Sequence, residues 1–270
     1  MFKNHVKMSE FEFKAVTKHS GKLKTLFEIL FLNLQTAALK IDATGILLEQ
    51  NTTQNLSIRV FLPASGFDEY HFKVKDENYN VDDETQVNSD KQSFSVGLSN
   101  NINKEFFKSV KNKDKITMAT SGPFNFVFEK TGNGIVQSLT VTIEDVFILQ
   151  PDKIEYSNDF ITIAPEEFTQ MCRSLWVPKL NVTKQDGQVI FAFKTPRSEK
   201  KVTCGSKNIN DREMIHREYN CEQFNRISKI QSLAGANIEV YYQHENPLKL
   251  VVKNELMDFQ VIIYEQLENN

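Results

Sequence analysis

Two stretches of this chain pass through the same order of patterns, and that internal repeat limits the possible folds more than any other feature. "KLKTLFEILFLNLQTAALKIDATGILLEQ" places Leu23, Leu26, Phe27, Leu30 and Leu34 on one helical face. It then reads as a strand, a turn at Gly45 and a second strand. "PEEFTQMCRSLWVPKLNVTKQDGQVIFAF" repeats the order. Phe168, Met171, Cys172 and Leu175 fall at i, i+3, i+4 and i+7, followed by "KLNV", a turn at Asp186 and Gly187, and the alternating strand "VIFAF". Each half later carries another amphipathic stretch and hairpin, "SNNINKEFFKSV" with "KITMATSGPFNFVFE" and "CEQFNRISKI" with "NIEVYYQHENPLKLVV". The spacing predicts an α+β fold of two similar domains, each an antiparallel β-sheet covered on one face by two helices.

The expected boundaries are residues 1–142, a connector at 143–159, and residues 160–270. The connector, within "IEDVFILQPDKIEYSNDFITIAPEEF", mixes acids with large apolar residues and two prolines and keeps no period. A chain of 270 residues is long enough for two such cores. The polar segment "KVKDENYNVDDETQVNSDK" reads as a solvated insertion at 74–92 rather than a metal site.

Net charge is −3, which argues against a surface that grips nucleic acid all over, so any DNA contact must be local. The amphipathic stretches supply candidates. Opposite Ile102, Phe106, Phe107 and Val110 stand Lys104, Lys108 and Lys111 at i, i+4, i+7; opposite Phe224, Ile227 and Ile230 stand Arg226 and Lys229. Lys22 and Lys24 on the first helix and Arg173 on the third continue the bias. A single such face is ordinary helix solvation, but four in an acidic chain suit sequence-independent phosphate contact.

Other chemistries lack support. The five histidines show no HxxxH or HExxH spacing, and "KTGNGI" lacks the phosphate-loop spacing and reads as a hairpin turn. Cys172, Cys204 and Cys221 are odd in number and widely spaced, which suggests reduced thiols. The longest apolar run, "ILFL", is far short of a membrane span, and the start of the sequence has no apolar leader, so a soluble intracellular protein is expected. We expect no enzyme, no cofactor and no metal.

With these segments in view, "LKTLFEILFLNLQTAALKIDATGILLEQNTTQNLSIRVFLPASGFDEYHF" resembles the first domain of the proliferating cell nuclear antigen family of DNA sliding clamps. "SVGLSNNINKEFFKSVKNKDKITM" resembles that domain's second helix and following strand. "ITIAPEEFTQMCRSL" resembles the opening of the second domain, and "NPLKLVVKNELMDFQVIIYEQL" its closing strands and tail.

The resemblance implies a homotrimeric ring around duplex DNA, placed by a clamp loader, that tethers a DNA polymerase and other peptide-bearing clients. It implies a nuclear protein, or a cytoplasmic replication site if viral. Hetero-oligomeric checkpoint clamps and viral clamp-like transcription factors share the same pattern. The helices would line the hole, with Lys24, Lys104, Arg173 and Lys229 matching the family's basic positions, while Thr25, Phe31, Gln170, Val177 and Glu222 stand where basic or histidine residues are frequent. The connector would border a client pocket. Its apolar wall would comprise Ile58, Phe147, Ile148, Leu149, Pro151, Pro247, Ile262 and Ile263, with Tyr264 in the tail and with Asn51 and Asn55 as departures. Its acidic rim would suit peptides with basic flanks. Strands at 137–143 and 199–205 would join subunits edge to edge.

Overall fold

The alternating and helical patterns are realised in a computed structural model that describes residues 11–74, 93–122, 124–143, 151–173, 177–208 and 213–265. Residues 75–92 of the expected insertion and the connector residues Phe147, Ile148 and Leu149 lie outside these. The chain divides into two units, one of residues 1–48 and 61–148 and one of residues 49–60 and 149–270.

The first unit contains β1 (Phe11–Thr17), α1 (Ser20–Asn33), β2 (Thr36–Asp42) and the start of β3 (Gly45–Asn51), while the end of β3 and most of β4 (Leu56–Pro63) belong to the second unit. The first unit continues with β5 (Glu69–Val74), β6 (Ser93–Ser99), α2 (Asn101–Glu105), β7 (Lys115–Thr120), β8 (Asn125–Gly132) and β9 (Ile135–Thr142). One sheet runs β5-β1-β7-β8-β9, and β2 pairs antiparallel with both β3 and β6. Leu23, Leu26, Phe27, Leu30 and Leu34 of the first helical stretch are buried as their spacing requires. Phe27 stacks on Phe107 at 4.3 Å between ring centroids and meets Phe128 edge-on, so aromatic area holds the helical layer to the sheet. Phe31, at a position where the family often has a basic residue, is also buried and stacks on Phe27.

The second unit contains β10 (Ile161–Ile163), α3 (Pro165–Cys172), β11 (Lys179–Gln185), β12 (Gln188–Lys194), β13 (Glu199–Cys204) and β14 (Ile215–Asn220). It ends with α4 (Cys221–Arg226), β15 (Ile238–Tyr241), β16 (Leu248–Lys253) and β17 (Asp258–Ile263). One sheet runs β13-β12-β11-β14, and a second carries the order β10-β15-β16-β17-β4. Pro165 opens α3, where its missing N–H costs nothing, and Glu167 closes the turn by accepting from the Ala164 amide at 2.7 Å. Asp186 and Gly187 both take positive φ, 51° and 73°, the two-residue turn that twists with its strands. Asn133 and Gly134 do the same between β8 and β9, so "KTGNGI" is a hairpin.

The second helical stretch differs from its expected form. It reaches only Glu105 as α-helix, tightens into a 3-10 turn at Phe107–Ser109, and leaves Lys111 beyond it. Adjacent Phe106 and Phe107 are both fully buried, and on a regular helix they would point about 100° apart. Breaking the helix between them lets both rings enter the core. Consequently Lys104, Lys108 and Lys111 are not a stripe on one helix. The fourth stretch breaks likewise, α4 giving way to a 3-10 turn at Ser228–Ser232, while Phe224, Ile227 and Ile230 remain buried.

Candidate nucleic-acid and client interfaces

In the first unit the helical layer carries Lys22, Lys24, Lys108 and Lys111; the side chain of Lys104 lies outside the described residues. Lys24 is committed internally, since its ammonium donates to the carbonyls of Lys108 at 3.2 Å and Val110 at 3.1 Å. It satisfies carbonyls that the broken second helix leaves without partners. Lys22 is half-buried, whereas Lys108 and Lys111 are exposed and their side chains enter no hydrogen bond or ion pair among the described residues.

In the second unit, Arg173 caps the end of α3 and is exposed. Arg226 pairs with Glu222 at 3.0 Å, one helical turn away, and Lys229 is exposed on the following 3-10 turn. Of the eight expected DNA contacts, Lys108, Lys111, Arg173 and Lys229 therefore present exposed cations. Lys24 and Arg226 have partners that lower what they can offer a phosphate.

The client residues divide in the same way. A cleft of about 390 Å³ opens on the outer face of β4, β16 and β17, under the connector. Ile58 and Ile262 lie on its sheet side, and Pro151, Ile154 and Tyr156 form its connector side. Ile263 is fully buried and faces the core, because alternation along β17 sends it opposite to Ile262. Pro247 lies outside the lining but fixes the connector, its carbonyl accepting from the Tyr156 hydroxyl at 3.0 Å. Asn51 accepts from the Ser57 hydroxyl, Asn55 takes φ 55° and accepts from the Tyr264 amide at 3.2 Å, and the Tyr264 hydroxyl lies 3.4 Å from Ser57 Oγ. Those three residues organise the hairpin tip beside the cleft.

Among the described residues Arg59, Lys153 and Lys249 line the cleft together with Glu49 and Asp152, and Glu49 faces Arg59 at 3.9 Å; the acids Glu144 and Asp145 of the expected rim lie outside the described residues. Lys249 was legible in principle: in "LKLVVK" it alternates with the buried Leu248 and Leu250 and so must face outward.

The edge strands stand where the sequence placed them. Among the described residues β9 and β13 each end their sheet, with a side on which no strand is paired. On β9, Ile135 and Val136 are 68% and 60% exposed, a large apolar exposure for an isolated edge.

The remaining reactive groups are quiet. Burial pushes the thiols of Cys172 and Cys204 up to about 12 and that of Cys221 to about 11, leaving them protonated near neutrality. Among the described residues no cluster of three or more His, Cys, Asp or Glu side chains could hold a metal ion, and no helix is long and apolar enough to cross a membrane.

Three comparisons bear on this arrangement. The model of a family described as repair protein Rad1/Rec1/Rad17 matches residues 12–167. In structure the chain is similar to the crystal structure of proliferating cellular nuclear antigen from Entamoeba histolytica, with a TM-score of 0.77 over 94% of this chain and 99% of that one. Sequence identity there is 13%, so the likeness shows the fold. No curated protein matches the chain by sequence.

Proposed function

Because this chain belongs to the Rad1/Rec1/Rad17 repair-protein family of PCNA-like clamps, we propose that it is one subunit of a ring that closes on duplex DNA with other, unlike clamp chains and holds repair proteins there. The observation that carries the choice of unlike partners is the mismatch of its own two edges. β9, "IVQSLTVT", contains no charged residue, while β13 presents exposed Glu199, Lys200 and Lys201. Glu199 and Lys201 pair with each other at 3.6 Å, so a ring of identical subunits would lay one edge against the other and leave the exposed Lys200 without a counter-charge from β9. Charged edges are also a common means by which a strand refuses the wrong partner.

The exposed Lys108, Lys111, Arg173 and Lys229 support weak, sequence-independent phosphate contact, with no base readout required. The cleft under the connector is the site for client peptides. Family membership supports a nuclear setting and a scaffold rather than a catalyst.

A homotrimeric processivity factor for a DNA polymerase is the second reading, favoured by the near-complete fold match to a proliferating cellular nuclear antigen. Light scattering on the purified chain separates the two. A monomer that forms a ring only when other clamp chains are added supports the first; a stable trimer of this chain alone overturns it.

A further inference from the structure

Lys249 occupies an unusual place in the cleft. Its ammonium lies 4.1 Å from the ring centroid of Tyr156 and 4.2 Å from that of Tyr241, between two aromatic faces that attract a cation but accept no conventional hydrogen bond from it. No carboxylate or carbonyl accepts from it among the described residues. Two acids whose charge acts on it are occupied elsewhere: Glu239 takes Lys253 at 3.2 Å and the Tyr241 hydroxyl at 3.0 Å, and Asp258 accepts from Gln260 at 3.2 Å. Partial burial draws the ammonium below the ordinary lysine range and outweighs the attraction of Asp258 and Glu239, which marks a cation stripped of part of its water.

Around it the cleft supplies two more cations, Arg59 and Lys153, against Glu49 and Asp152, and a small apolar floor at Ile58 and Ile262. In the register of β16 and β17, Ile262 lies directly across from Lys249. An apolar anchor and a positive donor are thus neighbours on one sheet face.

We infer that the cleft under the connector selects client peptides carrying an acidic side chain next to a hydrophobic anchor, with the carboxylate received by Lys249 between Tyr156 and Tyr241. The inference rests on the reading of this cleft as the client site. It names the chemistry of the client and reverses the basic flank expected from the sequence. A carboxylate would give the Lys249 ammonium the acceptor it lacks, and the tyrosine faces would hold that ammonium in place before the peptide arrives. A basic flank would instead bring a like charge to three cations.

Short fluorescent peptides test this by anisotropy. Each carries the same pair of hydrophobic anchors, and Glu, Gln or Lys is scanned through the flanking positions. At one position Glu should bind the wild-type protein about tenfold more tightly than Gln. Lys249→Met should equalise the two, and Lys249→Arg should keep the preference. The bound Glu peptide should also protect Lys249 from acylation by an activated ester, read by mass spectrometry.

Thermal melting of the variants checks that folding is retained. Equal binding of Glu and Gln at every position, a preference for Lys, or a preference that survives Lys249→Met would each overturn the inference while the client site stands. Failure of every peptide to bind would remove the client site itself, and this inference with it.

Discussion

The ammonium of Lys184 donates to Glu213 at 2.6 Å while its own side chain is only 2% exposed. Asp159, at the end of the connector, accepts from the same ammonium at 2.9 Å. β11 thereby holds both the connector's end and the residues that lead into β14. Burial by itself would lower the affinity of Lys184 for its proton, but the hydrogen bonds to Glu213 and Asp159 outweigh it and hold the group above the ordinary lysine range.

A raised lysine contributes stability that is complete below its unfolded value, about 10.4, and is lost as pH climbs through the folded value. Glu213→Gln should therefore cost about 1–3 kcal/mol in urea unfolding at pH 7, because it leaves a buried cation with one partner fewer. Lys184→Met, which removes the charge and keeps the stem, should cost less. The stability difference between wild type and Lys184→Met should stay level through neutral pH and change only in the alkaline range. A difference that varies between pH 5 and 8 would assign the linkage to other groups.

Lys24 and Lys108 look equivalent in the sequence and should behave differently. Lys24→Met should lower stability by about 1 kcal/mol, because the carbonyls of Lys108 and Val110 lose their donor. Lys108→Gln should leave stability unchanged, since its exposed side chain holds nothing. Paired urea titrations decide it.

How much of this could be read beforehand follows from the range of each interaction. The apolar faces of α1 and α3, the hairpin turns at Asn133 and Asp186, and the strands that end each sheet are local patterns, and they were legible. The break after Glu105 was not, because "KEFFKSV" satisfies helical spacing and only the demand that both Phe106 and Phe107 enter one core decides against it. Lys24 reads as a solvent cation until the broken helix shows which carbonyls lack donors. The cationic cleft joins β3, β4, β16, β17 and the connector, so its charge depends on register across residues far apart in sequence.

The exposed cations should act on DNA as a group. Replacing Lys108, Lys111 and Arg173 by Gln should weaken binding of the assembled ring to duplexes of any sequence. The dependence of log K on log salt should flatten by roughly 0.9 for each phosphate that the variant no longer neutralises. The same salt slope in the triple variant would place the phosphate-binding groups elsewhere.

Assembly should depend on the free edge of β9. Along an edge strand alternate amides point outward, so of Thr140→Pro and Val141→Pro one must delete an outward N–H. That variant should lose ring formation, measured by light scattering with the partner chains present, while the monomer melts cooperatively. On β13, Lys200 and Lys201 are the better positions for the same test, since Val202 is 7% exposed and its replacement would damage the core. Rings that form normally with both edges altered would exclude strand pairing as the joint.

The last prediction concerns how the connector is held. Arg217 of β14 has a side chain only 11% exposed, and its guanidinium donates to the carbonyls of Gln243 at 3.0 Å, His244 and Asn246, all in one turn. Its Nε reaches Glu265 at 3.2 Å and its charge lies 5.5 Å from the Tyr242 ring. The turn it grips then grips the connector: Gln243 accepts from the Ser157 amide at 3.2 Å, and Asn246 donates to the Glu155 carbonyl at 2.8 Å. Only the planar, forked guanidinium can serve several carbonyls and a carboxylate at once, so Arg217→Lys keeps the charge but loses the geometry. The variant should fold, and hydrogen exchange should accelerate at the Ser157 amide and through residues 155–159, with the core strands β11 and β12 unchanged. Glu265→Gln, which weakens a single partner and leaves the turn gripped, should produce a smaller effect at the same amides. If Arg217→Lys leaves exchange at Ser157 as in wild type, the connector is held by other contacts, such as those of Tyr156 with Pro247 and of Asp159 with Lys184, and the cradle contributes only to the turn.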